Sequence, residues 1–300
     1  MNRRTMLRTA GTAALALGAW PLRSRADDKP KRKLLVYTRS AGFQHSVVKL
    51  GPDGTCLVDR VFQKLAADHN FDVHCTKDGR IFLPETLKQF DAVFFETTED
   101  LTKEGGDGQP PMPKEGKQAL LDFVAKGKGF IGAHCASDTF HSPGHHNGDF
   151  KQQQKLDPYI EMVGGEFIRH GGQQKAWMRV ADDKFPGAEG LKDFQLHEEW
   201  YSLKNFSPDL HVILVQDNTG MHDVDYQRPS FPATWARKHG EGRVFYTSMG
   251  HREDVWENPM FQKLLIGGVK FAFGDAQADL SPNLKTVAPD ADKLPEPSKK

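Results

Sequence analysis

Short, mostly apolar runs alternating with helix-period segments restrict this chain to an α/β architecture. Leu34–Tyr37, Phe71–Cys75, Asp91–Glu96 and Gly129–Gly132 read as strands. Apolar runs of this length, too short for helices, suit strands covered on both faces. After the first of them, Leu57, Val58, Val61, Phe62 and Leu65 share one face at helical spacing, a helix reaching about His69. Pro84–Gln89 reads as a helical turn. A helix over Lys114–Lys126 turns Leu120, Phe123 and Val124 inward and stops at Gly127. Strands that alternate with helices build a doubly wound parallel sheet.

The pattern changes beyond Asp138. Ser142–Gln154 is a polar loop rich in glycine and histidine, too long for a simple connection and so functional or mobile. Tyr159–Gly164 is a short helix. Gln174–Val180, His211–Gln216, Ala233–Lys238 and Arg243–Thr247 read as strands, the last two joined by a turn at His239–Gly242. They form a β-rich insertion expected beside the main sheet. Phe261, Leu264, Leu265, Gly268 and Ala272 mark a closing helix over Pro259–Phe273, stopped by Gly274. Residues 275–300, with Pro282, Pro289, Pro295 and Pro297, read as a disordered tail.

The formal net charge of zero conceals an asymmetry. Residues 1–26 hold Arg3, Arg4, Arg8, Arg23 and Arg25 and no acid, so the remainder carries 35 basic and 40 acidic residues. A net of −5 without a concentrated basic face excludes nucleic acid as the expected partner. The pair Arg3-Arg4, the apolar stretch Ala10–Trp20 and the small residues around Ser24-Arg25-Ala26 resemble a Tat-type signal peptide. Its apolar part is too short for a membrane span. The expected location is therefore periplasmic or otherwise exported, with no membrane contact after cleavage and residues 27–32 as a charged linker. Cys56, Cys75 and Cys135 are an odd set that offers no disulfide framework. Walker, GxGxxG, CxxC and HExxH motifs are absent.

The stretch Gly129–Asp138 marks the expected site. Gly132 permits a sharp exit from the strand, which sets His134, Cys135, Ser137 and Asp138 at its carboxyl end. Open α/β sheets bind ligands along that edge. His134 is either a general acid/base or metal ligand, or a buried histidine satisfied by backbone. Asp138 is a catalytic group or a helix cap. His251 and His45 follow other strands and belong to the same edge. If His197–Tyr201 is one strand, His197, Glu199 and Tyr201 share a face, and Glu198 and Trp200 share the other; Glu199 and Tyr201 are assigned to the cleft. His141, His145 and His146 suit either a metal or a solvated loop. Trp177, Trp200, Trp235 and Trp256 suit core packing or stacking on sugar rings.

Five stretches in order resemble the ThuA-like (trehalose-utilisation) family over about residues 33–274. They are Gly42-Phe43-x-His45; Gly129-Phe-Ile-Gly-x-His134-x-x-x-Asp138; Gly164-Gly165-x-Phe167-x-x-His170; Glu198-Glu199-x-Tyr201; and Gly242-Arg-Val-Phe-Tyr-x-x-x-Gly250-His251. The resemblance implies a flavodoxin-like, class I glutamine amidotransferase-like fold. Amidotransferases of that class carry Gly-x-Cys-x-Gly at a strand-to-helix elbow. Aligning Gly132 with the first glycine puts His134 at the nucleophile position and Cys135 one residue late, which disfavours a glutaminase.

The function so implied is that of an exported enzyme of disaccharide or keto-sugar catabolism, a sugar hydrolase, lyase or isomerase. A small-molecule carbohydrate is the expected partner, and no oligomeric state is implied. His134 and His251 would move protons, Glu199 would act as carboxylate or ligand, and Asp138 would complete the catalytic set. His45, Phe43, Tyr201, Cys135 and His170 would contact substrate. His45, His134, His251 and Glu199 together suit a divalent metal such as Zn²⁺. The alternatives are a non-catalytic sugar-binding module on the same scaffold and a thiol-dependent amidotransferase-like hydrolase using Cys135.

Overall fold

The computed structural model describes residues 30–295. The signal peptide assigned to residues 1–26 lies outside them. A nine-stranded sheet is assembled from β1 (Lys33–Tyr37), β2 (Asp72–Thr76), β3 (Ala92–Phe95), β4 (Gly129–Ala133), β6 (Gln174–Val180), β7 (Phe194–Glu198), β9 (His211–Asp217), β10 (Phe231–His239) and β11 (Gly242–Thr247). Its order is β2-β1-β3-β4-β11-β10-β9-β6-β7; β5 (Glu166–His170) and β8 (Tyr201–Lys204) pair separately. The first five strands run parallel, and β10, β9, β6 and β7 follow antiparallel. With Phe95 in register with Gly132 and Thr247 with Ala133, the carboxyl ends of β3, β4 and β11 lie side by side.

Alternation along the strands feeds two cores. Val36, Phe94, Ile131 and Phe245 face α1 (Leu57–His69) and the Pro259–Phe273 helix, whereas Tyr37, Phe95, Phe130 and Tyr246 face the Gly116–Ala125 and Pro158–Val163 helices. Both sheet faces are therefore covered, as continuous apolar strands require. α1 starts on a capping box in which the Cys56 thiol accepts from Asp59 N while the Asp59 carboxylate accepts from Cys56 N. The last long helix has Asn258 as N-cap, Pro259 at its first position and Gly274 in the left-handed conformation at φ 78°.

The β-rich segment, expected beside the main sheet, continues it edge to edge: the β10–β11 hairpin makes β10 an antiparallel neighbour of β11, and the sheet grows outward from there. One expectation needs correction. The tail is ordered over 275–295. Asn283 brackets Val212 by accepting from its N–H at 2.6 Å and donating to its carbonyl at 2.9 Å. Leu284, Ala288 and Ala291 are buried. Among the described residues the three cysteines are free, and no helix is long and apolar enough to cross a membrane.

Candidate active site at the carboxyl edge of the sheet

β4 delivers His134 through a strained exit. Its φ of 38° is unfavourable for a bulky side chain. Gly132 relieves the crowding behind it, since a Cβ there would lie 2.9 Å from Ala136 and 3.1 Å from the Tyr246 ring. Tyr246 Oη donates to the His134 carbonyl at 2.7 Å and holds the bend. His134 Nδ1 lies 3.1 Å from the Ser248 carbonyl and must donate to it. In a neutral ring Nε2 therefore carries a lone pair, and that atom is buried without a hydrogen-bond partner.

Three other residues reach the same point. His45 comes from the loop after β1 and is buried, as is His134. His251 follows β11 through Gly250, whose φ is 132°. Glu199 occupies the joint between β7 and β8. One ligand atom from each of His45, His134, Glu199 and His251 lies within 4.8 Å of the others. The imidazole centroids form a near-equilateral triangle of 5.0, 5.1 and 5.3 Å with rings nearly perpendicular. Glu199 Oε2 is 2.9 Å from His251 Nδ1 and 3.6 Å from His134 Nε2. Neither nitrogen is aligned as a hydrogen-bond donor to it.

The charges follow from this packing. Burial lowers the pKa of His45, reinforced by repulsion from the neighbouring imidazoles, and burial lowers that of His134 although Glu199 pulls the other way. Burial also opposes ionisation of Glu199, but His134 and His251 outweigh it and hold its carboxyl well below the usual range. For His251, burial disfavours the imidazolium, yet the Glu199 carboxylate raises its pKa. The site is thus an anionic carboxylate facing two imidazoles biased to the neutral form, His45 and His134, and a third, His251, biased toward the cationic form. Tetrahedral bonds of about 2.0–2.1 Å put ligand atoms roughly 3.3–3.4 Å apart, a value bracketed by the 2.9 and 3.6 Å separations of Glu199 Oε2 from His251 and His134. A divalent cation fits these residues.

The cluster opens into a cleft of about 300 Å³ lined by Phe43, His45, Glu99, Asp138, Asn147, Phe167, His170, Glu199 and Tyr201. Phe43 is 68% exposed and packs edge-on to His45. The Tyr201 ring lies 3.9 Å from that of His134, and its hydroxyl is 3.5 Å from His45 Nε2. His170 Nδ1 stands 3.4 Å from Glu199 Oε1. Asp138 accepts from His141 Nε2 at 2.9 Å rather than capping a helix.

Cys135 does not join this cleft. The bend at His134 sends its side chain into the core, where Sγ lies 3.4 Å from Glu96 Oε1. Burial pushes the thiol well above its ordinary pKa, and Glu96 adds to the effect. Iodoacetamide is expected to leave Cys135 unlabelled in the native protein and to label it after denaturation, as read by peptide mass spectrometry. Rapid native labelling at Cys135 would contradict this placement. The tryptophans also stay out of the cleft: Trp200, Trp235 and Trp256 are fully buried, and Trp177 packs against Arg179.

One important residue escaped the sequence reading. His197–Tyr201 is not a continuous strand, because β7 ends at Glu198 and β8 begins at Tyr201. Glu198 is buried, not solvated; Oε2 accepts from Gly250 N at 2.9 Å and His251 N at 3.2 Å, and Oε1 from Glu199 N at 2.7 Å. The Glu198-Glu199-x-Tyr201 stretch is the one sequence signal for it, and nothing local ties it to the turn at His251.

Comparison with known proteins agrees with this architecture. A ThuA-like protein from Bacteroides uniformis is similar at 19% identity and a TM-score of 0.60, over 83% of this chain and 94% of that one. A second ThuA-like protein, from Parabacteroides merdae, is similar at 17% identity and a TM-score of 0.55, over 83% and 92% of the respective chains. No curated protein sequence matches. Residues 33–272 match the model of the ThuA family, described as trehalose utilisation, and the chain belongs to that family.

Proposed function

We propose that this protein is an exported, metal-assisted enzyme acting on a disaccharide or keto-sugar. The observation that carries the proposal is the convergence of His45, His134, Glu199 and His251 within 4.8 Å at the end of an open cleft. A structural ion pair needs two of these groups; three imidazoles and a carboxylate converging on one point match a cation's ligand set. The trehalose-utilisation description of the family supports a sugar as substrate class. The order β2-β1-β3-β4-β11 of the parallel strands supports the flavodoxin-like, amidotransferase-like reading. The strained His134 bend supports its equivalence to the amidotransferase nucleophile elbow. The twin-arginine segment supports export; accumulation in the cytoplasm of a strain with intact Tat transport would refute it.

A bound divalent cation would polarise a sugar carbonyl or hydroxyl. The chain's own groups would do the rest. Phe43 offers an exposed apolar face on which a sugar ring can stack. Asp138 has one oxygen held by His141, and no protein donor among the described residues reaches the other. It can therefore accept a substrate hydroxyl or take its proton. His170, half-exposed beside Glu199, can exchange protons at the mouth.

The test is incubation of untagged, Zn²⁺-loaded protein with trehalose, other disaccharides and their keto derivatives, with products followed by mass spectrometry. Product formation that chelator abolishes and Zn²⁺ restores is expected. Saturable binding without product on any sugar would favour the sugar-binding module instead. The thiol-hydrolase alternative loses its basis with Cys135 in the core.

A further inference from the structure

The long polar loop after β4 is tied down by a second group of metal-type side chains. His141 and His145, four residues apart on that loop, converge on Glu166 at the start of β5. His141 Nδ1 is 3.4 Å and His145 Nδ1 3.5 Å from the same oxygen, Glu166 Oε1. Glu166 is fully buried, and His145 Nδ1 is buried with no hydrogen-bond partner.

We propose that His141, His145 and Glu166 form a second divalent-cation site, distinct from the cleft cluster, that fastens the 141–153 loop over the cleft. Three features carry it. The two distances exceed normal hydrogen bonds, which lie near 2.7–2.9 Å for charged pairs, and match the roughly 3.3–3.4 Å edges of a tetrahedral Zn²⁺ shell. His145 Nδ1 is buried, unpartnered and faces the same Glu166 oxygen, while His141 Nε2 lies 2.9 Å from Asp138 and its Nδ1 makes only a long 3.4 Å hydrogen bond to Glu166. A divalent cation would take the place of the proton on His141 Nδ1 and satisfy His145 Nδ1 as well. The outer contacts of a metal site are also in place: Asp138 orients His141, and Ser142 N at 2.7 Å and Asn205 Nδ2 at 2.5 Å hold the Glu166 carboxylate. The two imidazoles lie face to face, 3.9 Å apart and 6° from parallel. A shared ion therefore requires one ring to turn so that both lone pairs meet.

The consequence is for the loop. Asn147, two residues beyond His145, lines the cleft, while Lys204 Nζ donates to the Asp149 carbonyl at 3.0 Å and Asn205 accepts from Gln153 N at 3.0 Å. A cation at His141 and His145 would fix the near end of a segment whose far end β8 already holds. The proposal stands without the catalytic reading of the first cluster, because it shares no ligand with it.

Zn²⁺ titration of the chelator-stripped, untagged full chain separates the two sites. Wild type is expected to retain two equivalents after gel filtration. His145→Ala should lose one equivalent, as should Glu166→Gln with an unchanged circular dichroism spectrum. His134→Ala should also retain one, at the other site. Hydrogen exchange across residues 141–153 should slow on Zn²⁺ addition in wild type and His134→Ala, and stay unchanged in His145→Ala. A wild-type stoichiometry unaffected by His145→Ala overturns the proposal. So does loop exchange that responds to pH but not to Zn²⁺, which would identify a proton on His141 in the cation's place. Loss of an equivalent in His145→Ala but none in His134→Ala would support this site while refuting the first.

Discussion

Replacing His134 with alanine is expected to weaken Zn²⁺ binding at the cleft by more than about 100-fold and to remove turnover with it. Outer-sphere substitutions at metal sites already cost about 10–100-fold, and His134 would be a direct ligand. Its Nε2 is buried, unpartnered and 3.6 Å from Glu199 Oε2, and alanine offers no ligand atom in its place. The fold loses less. The Ser248 carbonyl gives up one donor, a cost of about 1–3 kcal/mol, and the bend itself stays anchored by Tyr246. His251→Ala should give a similar loss of affinity. The double variant should be little worse than either single one, because ligands of one ion act as a unit. Competition against a chromophoric chelator measures the affinity, and thermal unfolding monitors the fold. Wild-type affinity in both single variants would remove the metal from the mechanism. Sugar binding that survives in them, with no product from wild type, would return the protein to the binding-module class.

Much of this site could be read before folding, for a topological reason. His45, His134 and His251 each follow a strand of the parallel block, and parallel strands release their chains on one edge. Residues 45, 134 and 251 are thus brought together by strand direction alone. The same logic fails for what depends on a single dihedral. Whether His134 or Cys135 joins the histidine cluster below the cleft is decided by the φ of 38° at His134, which residue identity does not announce. It fails again around Glu199, which lines the cleft although His197–Tyr201 is not the continuous strand whose alternation would put it there. Short strands such as β5 and β8 carry no clear signal, because four or five residues are too few for a period-2 pattern to stand out. The ordered segment 275–295 misled through its prolines: they exclude regular structure, yet Asn283 and Leu284 still attach it to β9.

The largest stability effect is expected at Glu198, a residue that touches no substrate in the proposed reaction. It is fully buried, and burial pushes its carboxyl up to about 7. Its two oxygens take the backbone N–H groups of Glu199, Gly250 and His251. One side chain therefore joins the segment carrying Glu199 to the turn carrying His251. Glu198→Ala leaves three buried donors without an acceptor. At about 1–3 kcal/mol each, partly offset by no longer burying a carboxyl group, the loss should be roughly 3–5 kcal/mol. For a chain of this size that corresponds to a fall in Tm of roughly 6–20 °C. Glu198→Gln separates support from stability. It keeps the shape and one oxygen but turns an amide N–H₂ against a backbone N–H, so it should fold with a smaller fall in Tm. Because the turn is no longer held in register, Zn²⁺ affinity should still drop about 10–100-fold without a change in stoichiometry. Differential scanning fluorimetry and chelator competition read the two effects independently. A Glu198→Gln protein with wild-type Zn²⁺ affinity would reduce Glu198 to a packing role, whereas an affinity loss at nearly native Tm would make it the part of the fold that sets the geometry of Glu199 and His251.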